Sequence, residues 1–134
     1  MSSAFKRPTE PEGLTASLLE RFNTGEVSAM MGLYEEGAVF VTNSGEPVTD
    51  PAEIERHLEG FMSFGLPMKA NARHLYVAGD VALFVLDWEV EGTGPDGSHV
   101  HLKGSATDVA HRGADGFWRY AIDNPYGTRF REQA

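Results

Sequence analysis

The sequence contains no cysteine and comparatively few basic residues. The lack of cysteine excludes disulfide bonds, thiolate metal ligands and cysteine nucleophiles, and it fits a reducing compartment, so we expect a cytoplasmic protein. Lys and Arg number 11 against 20 Asp and Glu, which gives a net charge of −9. Nucleic acids and anionic membranes both require a basic surface, so we expect neither as a partner. No apolar run is long enough to predict a membrane span.

The length and composition indicate one globular domain. A chain of 134 residues with 41% hydrophobic residues can bury a substantial core. We predict a single domain over residues 1–134, in which residues 1–9 form a loose N-terminal arm.

Three consecutive strands dominate the second half of the chain. They are predicted at 80–91, 98–112 and 117–124, joined by glycine-containing turns. Alternate side chains face opposite sides of a sheet, so Phe84 and Leu86 share one face while Leu83 and Val85 share the other. The short turn that contains Gly97 sets a register with Phe84 opposite Asp108, Leu86 opposite Ala106 and Glu91 opposite His101. In this register apolar groups pair mainly on one face and opposite charges pair on the other.

The elements upstream predict three helices and further strands. Apolar stripes indicate a helix over 12–23 and a shorter one that carries Met30, Met31 and Tyr34. Asp50 followed by Pro51 is typical of a helix start. Strands are predicted at 38–42 and 68–78. This order predicts an α+β fold, in which three helices pack over the concave face of a curved, cone-shaped antiparallel sheet.

Asp108 is the one acidic residue among the apolar positions of its strand face. A carboxylate on an apolar face costs several kcal/mol unless it is paired or protonated, which makes Asp108 a candidate functional group. The alternative is that Asp108 binds nearby backbone N–H groups or the Tyr120 hydroxyl and only shapes the sheet. Alternation in the last strand places Ile122 opposite Asp108, with Tyr120 and Asn124 on the same face.

Several segments resemble a known family in their order and spacing. They are Asn23-Thr24-Gly25-Glu26, Gly116-Phe117-Trp118-Arg119 and Ile122-Asp123-Asn124-Pro125-Tyr126-Gly127-Thr128. They resemble the SnoaL-like and ketosteroid-isomerase-like branch of the nuclear transport factor 2 superfamily. The last segment is similar to the small bacterial YybH-like and SgcJ/EcaC-like proteins. The resemblance implies a cone with an apolar pocket at its wide end, and a homodimer.

The resemblance also implies candidate site residues. Ketosteroid isomerases use an Asp base, a helix Tyr and a protonated Asp on the sheet. The corresponding positions here hold Thr42, Leu18 and Asp108, so only the sheet acid is matched. SnoaL-type cyclases similarly rely on an acid at that position. The residues expected to line the pocket are Phe40, Thr42, His57, Phe61, Phe84, Trp88, Tyr120 and Asn124.

Two hypotheses of function follow. The first is an acid/base isomerase, cyclase or dehydratase that acts through Asp108 on a small, partly apolar molecule. The alternative is a non-catalytic ligand-binding or dimerisation module. Neither hypothesis requires a cofactor, and we predict none.

The predicted outer face of the sheet carries two other features. His99 and His101 share this face as two metal ligands could, with Glu91 opposite His101, but we interpret the group as a solvated, charge-paired surface and predict no metal site. Apolar residues of this face predict a homodimer interface, or a surface that a chain terminus covers. They are Tyr76, Val81, Leu83, Val85 and Val109.

Overall fold

A computed structural model of the chain describes Phe5 and residues 7–129. Three helices and a six-stranded sheet confirm the α+β cone fold. The helices are α1 (Gly13–Phe22), α2 (Val27–Met31) and α3 (Pro51–Met62). The strands are β1 (Tyr34–Val41), β2 (Pro47–Val48), β3 (Met68–Ala78), β4 (Val81–Thr93), β5 (His99–Arg112) and β6 (Trp118–Asp123). The order of the strands across the sheet is β2-β1-β6-β5-β4-β3.

The pairing of β4 with β5 follows the predicted register. Phe84 lies opposite Asp108, and Glu91 lies opposite His101. The inner side of β4 is buried at alternate positions, from Ala82 to Val90. The apolar alternation therefore places one face of this long pair against the core.

The sheet is mixed, whereas the sequence predicted antiparallel pairing throughout. β1 runs parallel to β6, with Val39 opposite Ile122. A short turn between consecutive strands requires them to pair antiparallel. No short turn joins β1 to β6, because the other four strands lie between them in the sequence, so this pair can be parallel. The prediction that Tyr34 belongs to the second helix is also wrong, because α2 ends at Met31 and Tyr34 begins β1.

The helices close the concave face through apolar stripes. Leu14, Leu18 and Phe22 of α1 are buried, as are Ile54 and Leu58 of α3. They form one core cluster with the inner residues of β4. Burial of each such side chain contributes about 1.5–3 kcal/mol, so this packing holds the helices over the sheet.

The start of α3 follows its predicted signal. The Asp50 carboxylate accepts a hydrogen bond from the backbone N–H of Ala52 at 3.3 Å, and Pro51 occupies the first turn. Together they position the helix that covers one side of the inner face.

A β-bulge interrupts the pairing of β5 with β6. Val109 pairs with Ile122 but Ala110 pairs with Tyr120, so Ala121 is the extra residue. The bulge turns Ile122 outward, where it is 38% exposed, and brings Asp123 to the inner face. The prediction that Ile122 lies inward opposite Asp108 is therefore wrong.

The predicted N-terminal arm lies partly outside the described residues. Of its described part, Pro8 is held against the sheet, because its carbonyl accepts a hydrogen bond from the backbone N–H of Trp118 at 2.9 Å. None of the described helices is both long and apolar enough to span a bilayer.

Candidate active site

Asp108 lies on the inner face of β5 and is 3% exposed. Its Oδ1 accepts a hydrogen bond from the backbone N–H of Asn124 at 2.8 Å. Burial raises the pKa of the Asp108 carboxyl well above its ordinary value, and the charge of Asp123 raises it further. A hydrogen bond from a backbone N–H is what we expected if Asp108 only shapes the sheet. This bond is present, but it engages only one of the two carboxyl oxygens.

Asp123 is the neighbour that the sequence did not predict. Its carboxyl is hydrogen-bonded to that of Asp108 and also accepts a hydrogen bond from the Tyr34 hydroxyl. Burial raises the pKa of Asp123, while the hydrogen bonds from Tyr34 and Asp108 oppose that rise. Two carboxyls in contact, one buried and one half-buried, cannot both ionise at low cost, and the opposite effects of their mutual hydrogen bond on the two pKa values make Asp108 the donor and Asp123 the acceptor.

Two tyrosines flank the carboxyl pair. The rings of Tyr34 and Tyr120 lie 5.9 Å apart between centroids. Burial raises the pKa of both phenols well above the ordinary value, and the nearby carboxylates add to the effect. Both phenols therefore stay neutral. Within the described part of the chain, the Tyr120 hydroxyl makes no hydrogen bond, whereas that of Tyr34 is engaged by Asp123.

A cavity of about 50 Å³ adjoins the carboxyl pair. One water needs roughly 10–15 Å³ on this measure, so the cavity has room for only a few water molecules. The lining residues Phe61 and Met68 are partly exposed, which places its solvent side near them. The lining is apolar apart from Asp108, Tyr120 and Asp123. The other residues are Leu18, Phe22, Met30, Phe40, Leu58, Phe61, Met68, Leu86, Trp88, Ala106 and Pro125.

Trp88 fixes one wall of the cavity. Its Nε1–H donates a hydrogen bond to the Pro125 carbonyl at 2.6 Å, and Phe61 packs edge-on against its ring at 5.6 Å. A Cβ atom at Gly104 would lie 3.0 Å from Trp88 Nε1 and 2.9 Å from the Pro125 oxygen. Glycine at this position therefore leaves room for the Trp88–Pro125 bond.

The structure brings part of the predicted set together. Asp108, Phe40, Phe61, Trp88 and Tyr120 line the cavity. Thr42, His57, Phe84 and Asn124 do not.

Contacts with neighbouring residues hold Thr42 and His57 outside the cavity. Thr42 follows β1, and its hydroxyl lies 3.0 Å from Ser44 Oγ and accepts a hydrogen bond from the backbone N–H of Glu46. His57 is on the exposed side of α3, where its ring stacks on Phe40 at 5.5 Å. It covers a lining residue without reaching the cavity itself.

Phe84 and Asn124 support the site from behind. Phe84 is 1% exposed and packs against Tyr120 at 6.4 Å, so it belongs to the solid core. The Asn124 side chain donates to Thr107 Oγ1 and to the Gly127 carbonyl. Only the backbone N–H of Asn124 reaches Asp108.

A second group of possible metal ligands lies on the outer face. Ligand atoms of Glu89, Glu91 and His101 fall within 4.8 Å of one another. Among the described residues, no other group of three or more His, Asp or Glu side chains meets this criterion. The cavity itself offers only the carboxyl pair, which is already shared with Tyr34.

Solved structures share this fold at low sequence identity. A conserved protein from Planctomyces limnophilus matches with a TM-score of 0.73 and 18% identity, covering 84% of this chain and 88% of that one. A protein from Streptomyces avermitilis, provisionally described as a dehydratase of the NTF2-like family, matches with a TM-score of 0.66 and 17% identity over 82% and 88%. A protein from Shewanella frigidimarina, provisionally described as a ketosteroid isomerase, matches with a TM-score of 0.67 and 14% identity over 83% and 90%.

The sequence comparisons identify a family, whereas the structural ones show the fold. No curated protein matches the chain. The finer resemblance to YybH-like and SgcJ/EcaC-like proteins stays a prediction. A family model described as a SnoaL-like domain matches residues 15–121. Because that match covers most of the chain, the chain belongs to the SnoaL-like domain family.

Proposed function

We propose that the chain is an enzyme that moves protons on a small, neutral, partly apolar molecule bound in the cavity beside Asp108. The observation that carries the proposal is the carboxyl pair Asp108–Asp123 at the wall of a cavity whose lining is apolar apart from this pair and Tyr120. The provisional descriptions of two structural neighbours, an isomerase and a dehydratase, name reactions that such a pair could perform.

The pair offers an acid and a base at once. We assign the proton of the pair to Asp108, which donates the hydrogen bond between the two carboxyls, and the role of base to Asp123, which the Tyr34 hydroxyl keeps in place. In an isomerisation, Asp123 would remove a proton from a carbon next to a carbonyl and return it to the far carbon of the shifted double bond. In a dehydration, the same base would take the proton while Asp108 protonates the departing hydroxyl, which leaves as water.

Tyr120 would also stabilise the charge that develops on the substrate oxygen. The Tyr120 phenol is neutral and is not engaged by another described residue, so its O–H can donate to that oxygen. A donor in an enclosed apolar site contributes more than the same donor in water. This role does not depend on the helix tyrosine of ketosteroid isomerases, whose position is occupied here by Leu18 in the apolar lining.

The size and charge of the site restrict the substrate. A cavity of about 50 Å³ is too small for a multi-ring molecule without rearrangement of its lining. The ionised member of the pair and the net charge of −9 disfavour an anionic substrate. A neutral carbonyl compound of a few carbon atoms fits both limits.

The experiment uses two small ketones as probes. Pent-4-en-2-one tests isomerisation and 4-hydroxybutan-2-one tests dehydration, and proton NMR in D₂O follows hydrogen exchange at the carbon next to the carbonyl. We expect the wild-type protein to accelerate exchange, and Asp108→Asn to lose about 10²–10⁴-fold of that acceleration. Asp87→Asn is the matched control, since Asp87 lies on the outer face of β4, and it should leave the rate unchanged.

Two results would overturn the proposal. One is an exchange rate that is the same in the wild-type protein and in Asp108→Asn. The other is binding of the probes, seen as chemical-shift changes of lining residues, without any exchange, which would favour the non-catalytic binding module.

A homodimer is the second part of the proposal. A row of four apolar residues, one from each of β3, β4, β5 and β6, crosses the outer face of the sheet. Each is paired with the next in the register, and they are Tyr76, Leu83, Val109 and Ile122. Tyr76 is 59% exposed and Leu83 is 40% exposed. A continuous apolar row of this kind supports burial against a second copy of the chain.

A further inference from the structure

Four potential metal ligands converge on the outer face beside the β4–β5 hairpin. Glu89 and Glu91 are two residues apart on β4, and His99 and His101 are two residues apart on β5, so each pair shares a face. The register sets Glu91 directly opposite His101 and places His99 next along the strand. Backbone geometry alone therefore brings two carboxylates and two imidazoles into one patch.

The side chains within this patch point towards one another. His101 Nε2 lies 2.5 Å from Glu89 Oε2, and His99 Nε2 lies 3.2 Å from Glu91 Oε2. His101 Nδ1 lies 3.9 Å from the same Glu91 oxygen. Two ligands bound to one tetrahedral metal ion at about 2.0–2.2 Å stand roughly 3.3–3.6 Å apart. The separations of 2.5 and 3.9 Å involve the two ring nitrogens of His101, of which one metal ion binds only one. With one ligand atom from each residue, Glu89, Glu91 and His101 still lie within 4.8 Å of one another. Side-chain rotations would bring these three to coordination distance, and His99, which contacts Glu91, would supply the fourth ligand.

The lysines of this surface do not neutralise Glu89. Lys69 on β3 and Lys103 on β5 both lie opposite Glu89 in the register. Directly opposed charges of this kind ordinarily pair. Yet neither lysine forms an ion pair with Glu89 within 4.0 Å in the described part of the chain, and the Glu89 carboxylate contacts His101 instead.

We propose that Glu89, Glu91, His99 and His101 bind a divalent transition-metal ion, with Zn²⁺ as the representative. Two imidazole nitrogens and two carboxylate oxygens match the ligand preferences of Zn²⁺, Cu²⁺ and Ni²⁺. Mg²⁺ and Ca²⁺ prefer oxygen-only sites, so the histidines select against them. The patch lies on the opposite face of the sheet from the cavity and about 20 Å along β4 from Leu83. It is therefore independent of the proposed catalytic site and of the apolar row.

The test is calorimetric titration of the metal-free protein with ZnCl₂. We expect one ion per chain and no detectable heat of binding from MgCl₂ under the same conditions. His101→Gln should weaken Zn²⁺ binding about tenfold or more, and Glu89→Gln should also weaken it. The matched control is His111→Gln, because His111 makes a single contact with Glu35, at 2.6 Å, and has no third ligand nearby among the described residues.

The control variant distinguishes Zn²⁺ binding at the proposed four-residue site from weak Zn²⁺ binding to any surface histidine. Circular dichroism first establishes that each variant is folded, and Glu89→Gln takes the place of His101→Gln if the latter is not. The proposal is overturned if the wild-type protein binds Zn²⁺ no more tightly than these variants. It is equally overturned if His111→Gln weakens binding as much as they do, because the ions would then occupy isolated histidine–carboxylate pairs.

Discussion

Asp87 and Asp108 lie on the two faces of the same pair of strands. On the outer face, Asp87 accepts hydrogen bonds from Ser105 at 2.7 Å and from Arg73 at 3.1 Å, which lower the pKa of its carboxyl. On the inner face, burial raises the pKa of Asp108 well above the ordinary value. An aspartate is thus an ordinary surface anion on one face and a candidate acid on the other. The difference arises because alternation along a strand directs one carboxyl into water and the other into the protein interior.

Apolar side chains show the same division. Phe84 and Leu83 are neighbours on β4, but Phe84 is 1% exposed and Leu83 is 40% exposed. Phe84 packs against Tyr120 within the core, while Leu83 belongs to the outer row opposite Val109. The inner face supplies stability, and the outer face is available for association.

The largest expected difference between the faces is in stability. Phe84→Ala should reduce the free energy of unfolding by about 3–5 kcal/mol, because it leaves a cavity in the core. Leu83→Ala should cost less than about 1 kcal/mol in the isolated chain. Urea denaturation at one low protein concentration measures both. Equal losses would show that the inner and outer faces are not packed as described.

The second largest expected effect is on dimer formation, which should be weakened by substitutions on the outer face only. We expect the wild-type chain to be a dimer at micromolar concentration. Burial of one leucine contributes about 1.5–3 kcal/mol, so Leu83→Lys should raise the dissociation constant more than tenfold. Analytical ultracentrifugation measures the mass.

The matched change is Ala114→Lys, which adds the same charge at an exposed turn residue. It should leave the dimer intact. A monomeric mass for the wild-type chain at this concentration would remove the dimer hypothesis and leave the apolar row unexplained.

What could be predicted from the sequence is what depends on local alternation and short connections. The pairing of Phe84 with Asp108 followed from side-chain parity and a short turn, and β3 begins and ends at the predicted residues. In an antiparallel hairpin, the turn and the apolar pattern both act on the register, so two local signals agree.

What could not be predicted depends on one inserted residue and one distant pairing. The bulge at Ala121 reverses the parity of the two residues after it, and no local pattern distinguishes a bulged strand from a regular one. Tyr34 approaches Asp123 across 89 positions of sequence, and its apolar neighbours fit a helix equally well. The contact between Asp108 and Asp123 could therefore not be predicted, although Asp108 itself was identified as a candidate. The one available signal was the position of Asp123 within the Ile122-Asp123-Asn124 segment of the family resemblance.

The smallest expected effect is a difference in how stability depends on pH. Asp108 has a folded-state pKa above its ordinary value of 3.8, so the folded protein binds the proton more tightly than the unfolded chain. Its stabilising contribution is complete below the unfolded pKa and is lost as pH rises towards the folded pKa, by at most about 1.4 kcal/mol per pH unit for one proton. Asn at this position keeps an oxygen for the Asn124 N–H and an N–H₂ group for Asp123. Asp108→Asn should therefore match the wild-type protein below the ordinary value of 3.8 and become progressively more stable than it as pH rises above that value.

Asp87→Asn should show the opposite trend, because its carboxyl has a lowered pKa. The contribution of Asp87 is present above the ordinary value of 3.8 and is lost as pH falls through its lower folded pKa, so the variant should be the less stable protein at neutral pH and should approach the wild-type protein in acid. Thermal denaturation of the three proteins between pH 2 and 8 compares the slopes, with the Asp87 effect expected below the ordinary value of 3.8 and the Asp108 effect above it. If both variants changed with pH in the same direction, the carboxyls of the two faces would share one environment, and the acid role proposed for Asp108 would lose its physical basis.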